Sequence, residues 1–265
     1  MTSNDGGEGT SPYMSIFEGF RNELDQHHDR RERCIKASRD ITAASKKIIF
    51  ALQRVRTLGS VIPENISRTT QPYYDTIYSS FAAVAPDLQG LNAHRYARNI
   101  TGGLQEYMEA ISFQYYLEKQ EIITREAAEA QLNQGMQVEA RIAIGVEDYI
   151  LGLYDMTGEL MRFAITNMAT VGGVPQARHD GDGAEISNTR TVLSDLRELS
   201  FRLETLDSGS DFHFARDASK KLVVTKQSVD KVERAVYGLL IRGSERPKGW
   251  MPDLSDAPRE EIEGF

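Results

Sequence analysis

The sequence predicts an all-α protein: a single bundle of about seven helices with one very long helix at its N-terminal end. Three observations in the residues predict the helical class. From just after Pro12 to about Thr57 the chain carries no Pro and no Gly except Gly19, and its seam repeats at 3–4 spacing. Clusters of Gly, Pro, Ser and Asp cut the remainder into helix-sized runs. No stretch alternates apolar and polar residues with hairpin-like turn dipeptides between them.

The first helix has its seam at Phe17, Phe20, Leu24, His27, Arg31, Cys34, Ser38, Ile41, Ser45, Ile48, Leu52 and Val55. Such a helix is roughly 65 Å long at 1.5 Å per residue. A seam apolar at both ends and polar in the middle excludes a pure coiled coil and predicts different neighbours along its length. Gly59 to Pro63 breaks the pattern. A second helix follows from about Arg68 to Val84, interrupted early by Pro72 and ended by Pro86. The third runs from about Asn92 to Gln120. Thr124 reads as the N-cap of a short fourth helix, with Glu126 in its first turn and Gly135 closing it. The fifth runs from about Val146 to Met168, and Gly172 to Gly183 is a loop. Ser187 is the expected cap of a sixth helix to about Leu206. After the turn Ser208-Gly209-Ser210-Asp211, a seventh runs from about Phe212 to Ile241 and is ended by Gly243 and Pro247. Residues 1–12 read as a disordered tail, 13–250 as the helical domain and 251–265 as a loose acidic tail.

Composition narrows the function. The 265 residues carry a formal charge of −8, so the chain as a whole does not attract polyphosphate. Any nucleic acid must be held by local basic patches or by a partner's charges. The single cysteine, Cys34, excludes an internal disulfide and suits a reducing compartment. The first residues lack the basic and apolar regions of a secretory signal, and no apolar run reaches the roughly 18 residues of a membrane span.

Two acidic pairs carry the chemistry. Glu106 and Glu109 stand three apart on the third helix, flanked by Leu104, Tyr107, Met108, Ala110 and Ile111, with no Lys or Arg three or four positions away. Asp155 and Glu159 stand four apart on the fifth, among Leu151, Leu153, Leu160 and Met161, with Arg162 as a neighbour of Glu159. Gly158 between them costs about 1 kcal/mol of helix stability relative to Ala and suggests close approach of another helix. One such pair alone is usually a solvated face. Two pairs on two mostly apolar helices suggest four carboxylates meeting. Oxygen-only ligands suit Mg2+ or Mn2+ rather than Zn2+, and a centre of this kind supports metal-assisted hydrolysis of a phosphodiester.

Other motifs fail. Asp180-Gly181-Asp182-Gly183 lacks the Gly and Glu spacing of a calcium loop, no Glu-x-x-His is present, and no Walker or dinucleotide fingerprint appears. Cys34 reads as a buried thiol. Basic residues gather on the first helix at Arg30, Arg31, Arg33, Lys36 and Arg39, then Lys46, Lys47, Arg54 and Arg56. They are a solvated face, an RNA-backbone contact or a nuclear-import signal. Arg98, two turns before Glu106, is positioned to reach a phosphate near a metal.

Several segments resemble the translin-associated factor X family. They are Arg39-Asp40-Ile41-Thr42, Gly103-Leu104-Gln105-Glu106-Tyr107 with Glu109-Ala110, Ser112-Phe113-Gln114, Gly158-Glu159-Leu160-Met161-Arg162, Val236-Tyr237-Gly238-Leu239 and Arg242-Gly243-Ser244-Glu245. They fall in order over about residues 15 to 250. Thr124-Arg125-Glu126-Ala127 and Val146-Glu147-Asp148-Tyr149 look equally like the sister family, translin. The resemblance implies an all-α fold, assembly with translin into a hollow hetero-octamer, and a Mg2+-dependent endoribonuclease site for single-stranded RNA facing the interior. It puts the catalytic acids on Glu106, Glu109 and Asp155, with Glu159 as a further metal ligand. It implies roles in small-RNA passenger-strand or precursor-tRNA processing, a cytoplasmic and nuclear location, and single-stranded DNA as a second polymer. The rival expectation is a non-catalytic scaffold that stabilises translin and assists its nucleic-acid binding; a general helical adaptor is a third.

Overall fold

The computed structural model describes residues 13–176, 190–206 and 212–242. Seven α-helices form within them: α1 (Met14–Leu52), α2 (Glu64–Val84), α3 (Leu91–Lys119), α4 (Arg125–Met136), α5 (Val146–Val171), α6 (Val192–Glu204) and α7 (Phe212–Arg242). A 3₁₀ turn, Ala85–Leu88, joins α2 to α3. Among the described residues there is no strand, only an isolated antiparallel bridge between Gln176 and Thr191. The predicted helical class is therefore what the chain adopts, and the described residues hold the seven helices expected. The terminal segments 1–12 and 251–265, the acidic-glycine run at 180–183, Ser187, the turn at 208–211 and the stop at Gly243 and Pro247 lie outside the described residues.

Neighbouring helices run in the order α2, α1, α3, α5, α7, with α4 against α2 and α6 against α5 and α7. This order places α3 and α5, the bearers of the acidic pairs, side by side in the middle. Both helices are rich in buried aromatic and aliphatic residues, Met108, Ile111 and Phe113 on α3 and Met156, Leu160 and Phe163 on α5, while Tyr107 of α3 turns to Phe81 of α2. Phe113 and Phe163 meet edge to face with ring centroids 6.2 Å apart. Each such side chain withdraws enough apolar surface to contribute about 1.5–3 kcal/mol.

Close approach between the central helices depends on glycine, but not on Gly158. A Cβ on Gly158 would meet nothing within 4 Å; this residue opens space rather than closing it. The tight contacts are elsewhere. A Cβ on Gly152 would lie 2.5 Å from Met108 Cβ and 3.0 Å from the Gln105 carbonyl oxygen, and one on Gly103 would lie 3.0 Å from Ser38 Cα. Gly152 thus sets the α3–α5 spacing and Gly103 the α1–α3 spacing.

The seam of α1 behaves differently along its length. Cys34, Ile41, Ser45, Ile48 and Leu52 are buried, whereas Phe17, Phe20 and Leu24 are 65%, 57% and 68% exposed. The helix outruns the rest of the described chain at its N-terminal end. Several boundaries differ from the sequence-based expectation, among them the end of α1, at Leu52 rather than near Thr57. Helix α2 starts at Glu64 rather than near Arg68, because Pro63 precedes it and Glu64 pairs with Arg68 in the first turn at 2.5 Å. Pro72 lies inside it on an exposed face, where its missing N–H leaves one carbonyl to water. Gly135 lies inside α4 against the Tyr78 ring, and Gln137 (φ 54°) caps that helix instead. Helix α6 starts at Val192 behind a reciprocal capping box, in which Thr191 accepts from the Ser194 N–H and Ser194 accepts from the Thr191 N–H. Thr124 caps α4 as the sequence indicated.

Candidate functional site

Glu106 and Glu109 of α3 and Asp155 and Glu159 of α5 open onto one pocket, with a cavity volume of about 560 Å³. The 3- and 4-residue spacings aim each pair at the same side, and the Gly152 contact brings the two helices close enough for the pairs to meet. The remaining wall is built by α1 and α7: Lys46, Ile49 and Phe50 on one side, Lys221 and Val224 on the other.

The acids are not all equivalent. Glu106 lies 3.1 Å from the Lys46 ammonium, yet its Oε2 is buried with no hydrogen-bond partner. Asp155 accepts from Lys221. Glu159 accepts from Gln53 Nε2 at 2.8 Å and lies 3.5 Å from Arg162. Glu109 has no cation of its own. Burial, and then the negative charges of Asp155, Glu106 and Glu159, push its carboxyl up to about 8, with Lys221 opposing. It holds a proton at neutral pH that an ordinary glutamate would have lost.

A local absence of cations was therefore the wrong expectation. Lys46 and Lys221 come from elements 60 and 66 positions away in sequence, and no spacing rule on a single helix could have found them. Gln53 and Phe50 were missed for the same reason. Lys46 did stand in the basic run of α1, but only the fold separates it from Lys47, whose ammonium sits 5.1 Å from the Tyr73 ring centroid.

The four predicted RNA-binding arginines do not share the pocket. Arg30 and Arg33 reach Asp87 of the 3₁₀ turn, at 3.5 Å and 2.8 Å, and so tie α1 to the α2–α3 connection. Arg31 is exposed on the same stretch. These residues stand roughly 20 Å or more before Lys46 along the helix. Arg98 is exposed about 12 Å before Glu106 on α3 and does not line the pocket. Cys34 is fully buried, and burial pushes its thiol up, as expected of an inert core cysteine.

The donor set suits a hard divalent cation. Four carboxylates, one with an orphaned buried oxygen and one whose carboxyl is raised first by burial and then by its acidic neighbours, are what such an ion would satisfy. As the side chains stand, no group of three or more His, Cys, Asp and Glu among the described residues is arranged to hold an ion. The two lysines occupy the acids instead, so coordination requires them to swing aside. Both have flexible four-carbon stems, and the Lys46 side chain is 65% exposed. No helix among the described residues is long and apolar enough to cross a membrane.

Comparison with known proteins places this geometry in context. The sequence matches the profile of the Translin family over residues 29–243. It is 34% identical to translin-associated protein X of Rattus norvegicus over 272 residues, covering 96% of this chain and 87% of that protein. It is 29% identical to the Schizosaccharomyces pombe homologue of the same protein, covering 87% of this chain and 89% of that one. Identity to translin of Mus musculus is 26%, over 86% of this chain and 92% of that protein. The fold is similar to the solved structure named AfC3PO, with a TM-score of 0.55 at 16% identity, covering 85% of this chain and 97% of that one. It is also similar to apo-NeC3PO, with a TM-score of 0.52 at 15% identity, covering 85% and 98%.

Proposed function

The chain belongs to the Translin family, on its translin-associated protein X branch, and from that premise we propose that it is the catalytic subunit of a translin-containing hetero-octamer that cuts single-stranded RNA with Mg2+ or Mn2+. The observation that carries this reading is the convergence of Glu106, Glu109, Asp155 and Glu159 on one pocket, with Glu106 Oε2 buried and unpartnered. A purely structural contact between α3 and α5 has no use for four carboxylates on faces that are otherwise apolar.

The four acids would hold the cation, which when bound would polarise the phosphodiester and lower the proton affinity of water. The protein's own part is positional. Gln53 donates to both the backbone carbonyl and the carboxylate of Glu159 and so fixes its orientation. Gly158 keeps the pocket floor open where any side chain would intrude. A carboxylate oxygen among them that is not bound to the ion would take the proton of the attacking water. The processing of small-RNA passenger strands or precursor-tRNA fragments, in cytoplasm and nucleus, belongs to the same proposal. A scaffold reading has one observation in its favour: Lys46 and Lys221 already neutralise two of the acids.

One assay decides between them. The full chain, co-purified with a translin partner, is given a single-stranded RNA oligomer with Mg2+ or with EDTA. Cleavage should need Mg2+, and Asp155→Asn should lower it on the order of 10²–10⁴-fold with assembly unchanged on size exclusion. Activity that survives chelation, or an assembled Asp155→Asn variant cutting at the wild-type rate, contradicts the proposal.

A further inference from the structure

We propose that Lys46 and Phe50, one turn apart on α1, hold a nucleotide of the single-stranded RNA over the acidic pocket, Lys46 through a phosphate and Phe50 by stacking on a base. This rests on the reading of the pocket as a nuclease site and names the residues that present the polymer to it.

The exposure of Phe50 is the first observation. Every other residue from Ile48 to Leu52 is buried, yet Phe50 is 72% exposed. Beyond Leu24 it is the only exposed large hydrophobic residue of α1. It also lines the pocket that holds the four acids. An aromatic ring on a pocket wall offers a stacking platform that tolerates any base, because every base presents a π-face. The second observation is Lys46, which lines the same wall four positions earlier. Its side chain is 65% exposed and its ammonium is tethered only to Glu106 at 3.1 Å. Once Glu106 turns to a divalent ion, the ammonium is freed, and a phosphate at the pocket mouth is the anion within reach of its flexible stem. Lys221 and Arg162 line the pocket as well, so a phosphate there meets cations from three helices.

The alternative occupant of an exposed aromatic is a partner protein. The surroundings favour the nucleotide. The core of a protein interface is depleted in charge, whereas Phe50 shares its pocket with four carboxylates and three cations.

The test measures binding rather than cleavage. A fluorescein-labelled 2′-O-methyl oligoribonucleotide is titrated by anisotropy, with Mg2+ present, against the translin complex of the full chain. Phe50→Ala should weaken binding about tenfold, within the range of one lost base stack. Phe50→Leu should weaken it similarly, because it keeps apolar bulk without a ring. Phe50→Trp should restore binding, and its fluorescence over the wild-type background should be quenched by the oligomer. Lys46→Gln should weaken binding to all sequences alike and reduce the salt slope by about one. Unchanged affinity in Phe50→Ala, or Phe50→Ala and Phe50→Leu differing widely while Phe50→Trp is not quenched, overturns the proposal. Loss of co-assembly in Phe50→Ala also overturns it and makes the ring a protein contact. The two readings fail separately. If wild type cuts RNA and Phe50→Ala cuts and binds normally, only the nucleotide-holding role is lost; if Asp155→Asn cuts normally, the pocket is not the nuclease site.

Discussion

Glu109 is the residue on which the electrostatics of the pocket converge. Burial and then the charges of three carboxylates outweigh the opposing charge of Lys221, and its carboxyl is pushed up to about 8 from an ordinary 4.5. The consequence for stability has a definite sign. Between pH 4.5 and 8 the folded chain holds a proton on Glu109 that the unfolded chain has released. Stability of the ion-free protein therefore falls as pH rises through that window and levels off above it. Melting in EDTA across pH 5 to 9 should show this decline, and Glu109→Gln should flatten it; a variant with the wild-type profile would place the titration elsewhere. The two acidic pairs were legible in the sequence because helical spacing is a local property. Their counter-ions were not, because Lys46 and Lys221 reach them only through the packing of α1 on α3 and α7 on α5. Asp155→Asn accordingly removes more than repulsion: it also leaves Lys221 without its anion.

At the scale of elements, the pocket exists because α3 and α5 lie close together, and Gly152 decides how close. A methyl group there would lie 2.5 Å from Met108 Cβ, 3.0 Å from the Gln105 carbonyl and 3.3 Å from the Glu109 amide. Two of those neighbours are backbone and cannot swing away. Gly152→Ala should destabilise the chain by about 1–3 kcal/mol through overpacking, and it should weaken cleavage beyond what the stability loss explains, because the displaced turn carries Glu109. Chemical denaturation beside the cleavage assay checks this; a variant as stable and active as wild type would mean that the helices separate freely. A second tie holds the pair nearby: Asp148 of α5 accepts from Thr101 and from Gln105 of α3, the latter at 3.1 Å. The sequence marked Gly158 as the contact glycine, since a glycine beside two acids on a helix invites that reading. Whether a glycine faces a neighbour or a cavity depends on the angular position of the next helix, which one helix's sequence does not contain. Of the caps, Thr124 was legible in the sequence, whereas Thr191 and Pro63 were not.

At the scale of the whole molecule, the core of the described residues ends before the longest helix does. Met14, Ile16, Phe17, Phe20 and Leu24 form an exposed apolar stretch, and Phe17 and Phe20 pack edge to face. A stretch of that size on a chain with net charge −8 suits the proposed subunit role, in which a translin partner supplies both cover and positive charge for RNA. The seam's polar middle had announced a change of neighbours along α1; how much of the helix stays bare could not be read from it, because that depends on where the other helices stop. The central claim is that acids from α3 and α5 form one divalent-cation centre, and thermal melting of the assembled protein across a Mg2+ titration tests it most directly. A ligand bound only by the folded state adds RT ln(1 + [L]/Kd), about 2.7 kcal/mol at a hundredfold excess over Kd. The wild-type melting temperature should climb steadily with Mg2+, and Glu106→Gln and Glu109→Gln should each flatten the climb. An equal rise in all three proteins would contradict the account, since the ion would then bind without these carboxylates.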